Sequence, residues 1–213
     1  MRVSHTVRPV FDDPNLVSSA GLLPALKLAD SAGLSGLLEQ LTVPSANAGS
    51  KAVCVVAGML AGADSIDDLD LLRHGGMGRL FTGIKAPSTL GTFLRSFTHG
   101  HVQQLDAAGA GLLAGLAARA PGLIDRGEDG RLTFVDVDDT VRGVHGYAKQ
   151  AAAFGYSGIR GLNIQLATIA GAGSAPVIAR ARLRRGNIAS ATGAGRLLAQ
   201  ALNTTRAAGV AGQ

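Results

Sequence analysis

The chain has no tryptophan, one cysteine and few aromatics of any kind, 4% of its 213 residues. A single thiol excludes an internal disulfide framework and any zinc cluster built on cysteines. Cys54 sits in the apolar run AVCVVAGML, where a buried, inert thiol is expected. Scarce aromatics beside thirty glycines point to close packing of small-residue helices, and argue against a module that reads bases on aromatic platforms. Long apolar runs are missing as well. The stretches near 52–63 and 107–118 are too short to span a bilayer, and MRVSHTVRPVFDD has no apolar core of signal-peptide type. A cytoplasmic protein without a membrane partner is expected.

One further absence divides the chain. All fifteen acids lie in residues 1–139, whereas residues 140–213 carry eight Arg, one Lys and no Asp or Glu. A basic segment of that kind needs a polyanion or a partner surface to neutralise it, and nucleic acid is the commonest such partner.

The two halves meet at RLTFVDVDDTVRGVHG, residues 131–146. Leu132, Phe134, Val135 and Val137 predict a buried strand that ends at its acids. Side chains two apart share a face of a strand, so Asp136 and Asp138 lie side by side while Asp139 points the other way. Two such carboxylates repel unless a cation or a donor separates them, and a Mg²⁺ ion would do so. The alternative is a turn or cap with the acids solvated.

Residues 16–120 predict helices. Gly33 divides a leucine-rich pair, and a loop at 44–50 precedes a helix over about 51–62. Ser65 with Asp68 has capping-box spacing, so the acids at 64–70 are read as capping and solvated rather than as a metal cluster. Pro87 opens another helix, and a longer one runs from His101 to Ala118. His74 and His101 are read as surface or capping residues. Asp12, Asp13 and Pro14 suggest a turn after an extended leading segment, and PGLIDRGEDGR marks a domain boundary. Beyond the acid motif come a glycine-punctuated connection, a strand over LNIQLATIAG, and a second in PVIARARLRRGN. In the latter, Val177, Ala179, Ala181 and Leu183 alternate with Arg180, Arg182 and Arg184. That pattern reads as a half-buried strand with one cationic face, either protecting an edge or touching phosphate. A helix from Ser190 to about Ala208 closes the order, leaving a sheet with an open edge, as if unfinished.

Two families carry motifs of this kind. DVDDT resembles the opening motif of haloacid-dehalogenase-like phosphohydrolases, with Asp136 implied as nucleophile and Asp138 as general acid/base. That family also needs a downstream lysine and further acids, and here Lys149 is the only lysine after the motif, with no acid beyond it. The broader likeness covers essentially the whole chain. FDDPNLVSSAGLLP, AGADSIDDLDLLRHGGM, APSTLGTFLRSFTHGHVQQLD, DVDDTVRGVHGYAKQAAAFGYSGIRGLN and PVIARARLRRGN, in that order, resemble the N-terminal half of DDE-type insertion-sequence transposases of DDE transposase group one.

That resemblance implies an α+β chain: an all-helical N-terminal domain at 1–120 for DNA-end binding or dimerisation, then at 131–213 the first part of a ribonuclease-H-like mixed α/β domain. It implies Asp138 as the first catalytic acid and metal ligand, Asp136 beside it, and Mg²⁺ as cofactor. Transposon-end DNA is the implied partner, with a possible homodimer and a place at the bacterial nucleoid. Arg180, Arg182, Arg184, Arg185, Lys149 and Arg160 would contact DNA. The family's later Asp and Glu have no counterpart here, so strand cleavage is expected of the complete enzyme, and of this chain only DNA binding, as a truncated form or a non-catalytic remnant.

Overall fold

The structure is a computed structural model and describes residues 10, 13–127 and 131–210. The leading segment through residue 9, together with Phe11 and Asp12, lies outside the described residues, as do Glu128 to Gly130 of the expected boundary.

Helices α1 (Leu22–Ser31), α2 (Leu34–Glu39) and α3 (Ala48–Leu60) come first, then a 3-10 helix (Asp67–Arg73), α4 (Met77–Leu80), α5 (Pro87–Arg95) and α6 (His99–Arg119). Strands β1 (Thr133–Gly143), β2 (Ala153–Phe154), β3 (Arg160–Gly171) and β4 (Ser174–Arg184) come next, and α7 (Ala194–Ala207) ends the order. The chain is therefore α+β. No helix among the described residues is long and apolar enough to cross a membrane.

Local chemistry accounts for several of these limits. Gly33 breaks α1 from α2 at φ 100°, a left-handed conformation that glycine adopts without a Cβ penalty. Pro87 occupies the first turn of α5, where its missing N–H breaks no hydrogen bond. Ser65 and Asp68 make the expected reciprocal bonds: the Ser65 amide donates to Asp68 Oδ2 at 3.0 Å and the Asp68 amide donates to Ser65 Oγ at 3.3 Å. They stand at the start of a 3-10 helix, whose N-cap position is Ile66, rather than of an α-helix. At the start of α6 the Thr98 amide donates to Nδ1 of His101 at 3.0 Å, so His101 is a capping residue as read. Cys54 is buried, also as read.

The helices enclose three apolar clusters, one around Leu34, Leu38, Leu41 and Phe93, one around Leu22, Leu72 and Met77, and one around Cys54, Leu69 and Leu90. The boundary expected at 120 falls at the end of α6, and that helix serves both parts. Leu105, Ala108 and Leu112 pack into the helical core, while Leu113 and Ala117 pack under the sheet with Ala167, Ile169, Leu197 and Ala201. Close approach depends on Gly115, where a Cβ would stand 2.1 Å from the carbonyl oxygen of Ala32.

β3 is the central strand, with β1 on one side and β4 on the other; short β2 pairs with the first two residues of β3. Every ladder among the described strands is antiparallel, so the parallel pairing that a mixed sheet requires is not found there. β3 turns into β4 through Ala172 and Gly173. Asp125, just after α6, fastens that turn: it accepts the Gly173 amide at 2.7 Å and the Gly127 amide at 3.1 Å. These backbone donors, Gly127's first, hold its carboxyl below the usual carboxylate range.

Two corrections concern strand faces. β1 does not end at its acids; it runs on to Gly143, with the acids in mid-strand. Nor is it the buried strand predicted, since Leu132 and Phe134 are 70% and 56% exposed while Val135 and Val137 face the core. In β4 the register against β3 shifts at Ala167/Thr168, a bulge that admits one extra residue and re-aims the side chains beyond it. Val177 pairs with Ile169 on the core face, yet Arg180, Arg182 and Arg184 pair with Ala167, Gln165 and Asn163 on that same face. Leu183, pairing with Ile164, turns to the other. An uninterrupted alternation would have kept Val177 with Leu183.

Candidate functional site: the acid-bearing strand and the open sheet face

The two faces of the sheet differ in what covers them. α7 lies across one, burying Leu197 and Ala201 against Ala167 and Ile169. On the opposite face β1 presents Phe134, Asp136, Asp138, Thr140 and Arg142, all exposed. Asp136 faces Thr168 across the ladder and Asp138 faces Leu166. Alternate residues of a strand stand roughly 7 Å apart, so the two carboxylates are neighbours on a solvent-open surface. Asp138 Oδ1 accepts the amide of Asp139 at 2.7 Å.

Asp139 turns inward and belongs to a network. Its Oδ2 accepts Nδ2 of Asn163 at 2.5 Å, Nη2 of Arg184 at 3.0 Å and the Ser190 hydroxyl at 3.1 Å. Arg184 also donates through Nε to Asn163 Oδ1 at 2.8 Å and through Nη1 to the Thr192 carbonyl at 2.6 Å. The Asn163 bond first, then the Ser190 bond and the Arg184 charge, hold the Asp139 carboxyl below its ordinary range against the opposing effect of burial. The network crosses β1, β3 and β4 and clasps the loop that leads into α7. DVDDT thus contains two exposed acids and one structural acid.

Three of the arginines expected on DNA, Arg180, Arg182 and Arg184, are engaged inside the molecule. Arg184 leaves only 5% of its side chain exposed. Arg180 donates to Asp106 of α6 at 2.6 Å, with the two side chains 14% and 11% exposed. Asp106 also accepts the Ala181 amide at 2.8 Å, which blunts the outer edge of β4. Arg182 donates to Gln200 of α7. The cationic face read as outward is therefore turned inward, against helices α6 and α7, because the bulge and the partners Asp106, Asp139 and Gln200 bring it there.

The remaining expected contacts lie apart from these three. Lys149 and Arg185 are exposed. Arg160 is partly buried, donating to the carbonyls of Gly146 at 2.5 Å and Tyr147 at 3.4 Å, with its guanidinium 5.2 Å from the centre of the Tyr147 ring. Arg160 opens β3 and Arg185 follows β4, so both lie at the end of the sheet where β1 gives way to the 144–159 connection, which carries Lys149. The structure also collects aromatics there: Tyr147 and Tyr156 are 93% and 94% exposed and Phe154 is 67% exposed. A low aromatic total hides these three in the sequence, because it says how many rings there are and not where they fall.

Asp136 and Asp138 put two exposed carboxylates on one face, the number that a sparsely held Mg²⁺ takes from a protein while it keeps several waters. No group of three or more His, Cys, Asp or Glu placed to hold a metal occurs among the described residues. Comparison with protein-family models, with curated proteins and with solved structures finds no match to this chain.

Proposed function

We propose that the chain acts on DNA as part of a DDE-type insertion-sequence transposase, with Asp138 as the first metal-holding acid and Asp136 beside it. The observation that carries this reading is the splitting of DVDDT: Asp136 and Asp138 share the uncovered sheet face, while Asp139 is engaged with Arg184. Three long strands paired antiparallel, β1, β3 and β4, with only the two-residue β2 between the first two and α7 after them on one face, agree with the opening order of a ribonuclease-H-like domain. In that reading β1 lies where further strands would join, since only β3 pairs with it among the described strands.

The chemistry assigned to the chain's own residues is limited. Asp138 and Asp136 would hold the ion through carboxylate oxygens on an exposed surface. When bound, Mg²⁺ supplies Lewis-acid stabilisation of phosphate charge and activates a water or a 3′-hydroxyl. A complete two-metal clamp needs acids beyond this pair, and residues 140–213 contain none. DNA binding without cleavage is therefore the activity proposed for these 213 residues, which also accommodates a non-catalytic DNA-binding role.

The phosphohydrolase reading is weaker. Its motif comes after a strand, whereas here Asp136 and Asp138 lie inside one.

Binding of duplex DNA by the full chain, measured between about 50 and 200 mM salt, tests the proposal. Counterion release makes a loss of at least tenfold the expected result. Salt-independent binding, or release of phosphate from a small phosphomonoester that Asp136→Asn abolishes, contradicts it.

A further inference from the structure

We infer that the 144–159 connection and the end of the sheet it wraps form a stacking surface for unpaired DNA bases. This deepens the proposed function and rests on it for the choice of DNA. Both tyrosines of the chain are here, exposed over more than nine-tenths of their surface. Tyrosine is enriched at interfaces, and exposed apolar groups rimmed by polar residues mark binding surfaces. Phe154 joins them, paired across β2 and β3 with Arg160, whose guanidinium lies over Tyr147. Arg142, His145, Lys149 and Arg185 are exposed around the same sheet end and make no ion pair among the described residues. Neither Asp nor Glu occurs from residue 140 onward to compete for them.

Exposed rings interleaved with cations are the combination that holds single strands: each ring accepts a base face, and the cations track the phosphates. A folded duplex offers the phosphates but not the base faces. The cluster therefore favours bases that are already unpaired or splayed from a DNA end. Its position gives this a use. Arg142 and Asp138 point from the same face of β1, four residues apart, which is about 13 Å along a strand. A strand stacked on Tyr147 and Tyr156 would be led toward the acid pair.

The chain provides its own reporter. With two tyrosines and no tryptophan, all of its tyrosine fluorescence comes from this surface. Titrating oligodeoxythymidylate into the full chain should quench that emission saturably, and Tyr147→Phe and Tyr156→Phe should each retain binding. Tyr147→Ala and Tyr156→Ala should each weaken it by about tenfold, read from the anisotropy of a labelled oligonucleotide, while duplex affinity changes far less. DNA binding with unaltered tyrosine emission, or alanine variants that bind single strands as tightly as the parent, overturns the stacking surface and leaves the transposase reading standing. Absence of any DNA binding at low salt overturns both. Quenching by the oligonucleotide in a chain whose Asp138 takes no Mg²⁺ keeps this surface and removes the transposase reading.

Discussion

The two faces of the sheet treat the same kinds of residue in opposite ways. On the face under α7, Asp139, Asn163, Arg184 and Ser190 bond to one another and to backbone carbonyls. On the other face, Asp136, Asp138 and Arg142 stand open, a few residues along the same strand. Charge type does not separate these groups, because each face holds both acid and arginine. Cover separates them: a charge under a helix must be paired to be tolerated, whereas a charge on an open face is left for something else to bind.

The largest effect should come from breaking the covered face. Asp139→Ala leaves Arg184 buried without its acid and should lower stability by about 3 kcal/mol or more, read from denaturant midpoints; Arg184→Ala should do the same. Leu197→Ala, which opens a hole beneath α7 at a fully buried side chain, should cost about 2–5 kcal/mol. If these substitutions all prove harmless, the cover is not what holds this face together.

Acidification should sharpen the contrast. Asp139 and Asp125 are held below the ordinary carboxylate range in the fold, so the unfolded chain binds more protons at low pH. Their stabilisation is complete above the unfolded carboxylate value near pH ~4 and is lost as pH falls through the lower folded values. Unfolding midpoints measured from neutral pH downward should therefore hold steady and then drop below that range. Asp139→Asn should start lower and drop less steeply. The smallest effect belongs to the open face: Asp136→Asn and Asp138→Asn should move stability by no more than about 0.5 kcal/mol.

What the sequence made legible obeyed local rules. Gly33, Pro87 and the Ser65/Asp68 pair act through neighbours a few residues away, so helix limits could be read from them. The opposite directions of Asp138 and Asp139 come from the two-residue period of a strand. Illegible features were those that depend on distant partners. Nothing near Arg180 in sequence announces Asp106, 74 residues away, and nothing near Arg184 announces Asp139. The β4 bulge defeated the alternation for the same reason, since it exists only against β3. Tyr147 and Tyr156 contribute to a low aromatic total, and only the fold shows that both are left outside.

Manganese, standing in for magnesium, tests the central claim most directly. Added to the ¹⁵N-labelled chain, Mn²⁺ should broaden the backbone amides of residues 136–138 first, and Asp138→Asn should abolish that broadening without unfolding the chain. Broadening centred instead on the acids at 64–70, or none at β1, would contradict a metal-holding pair on the open face.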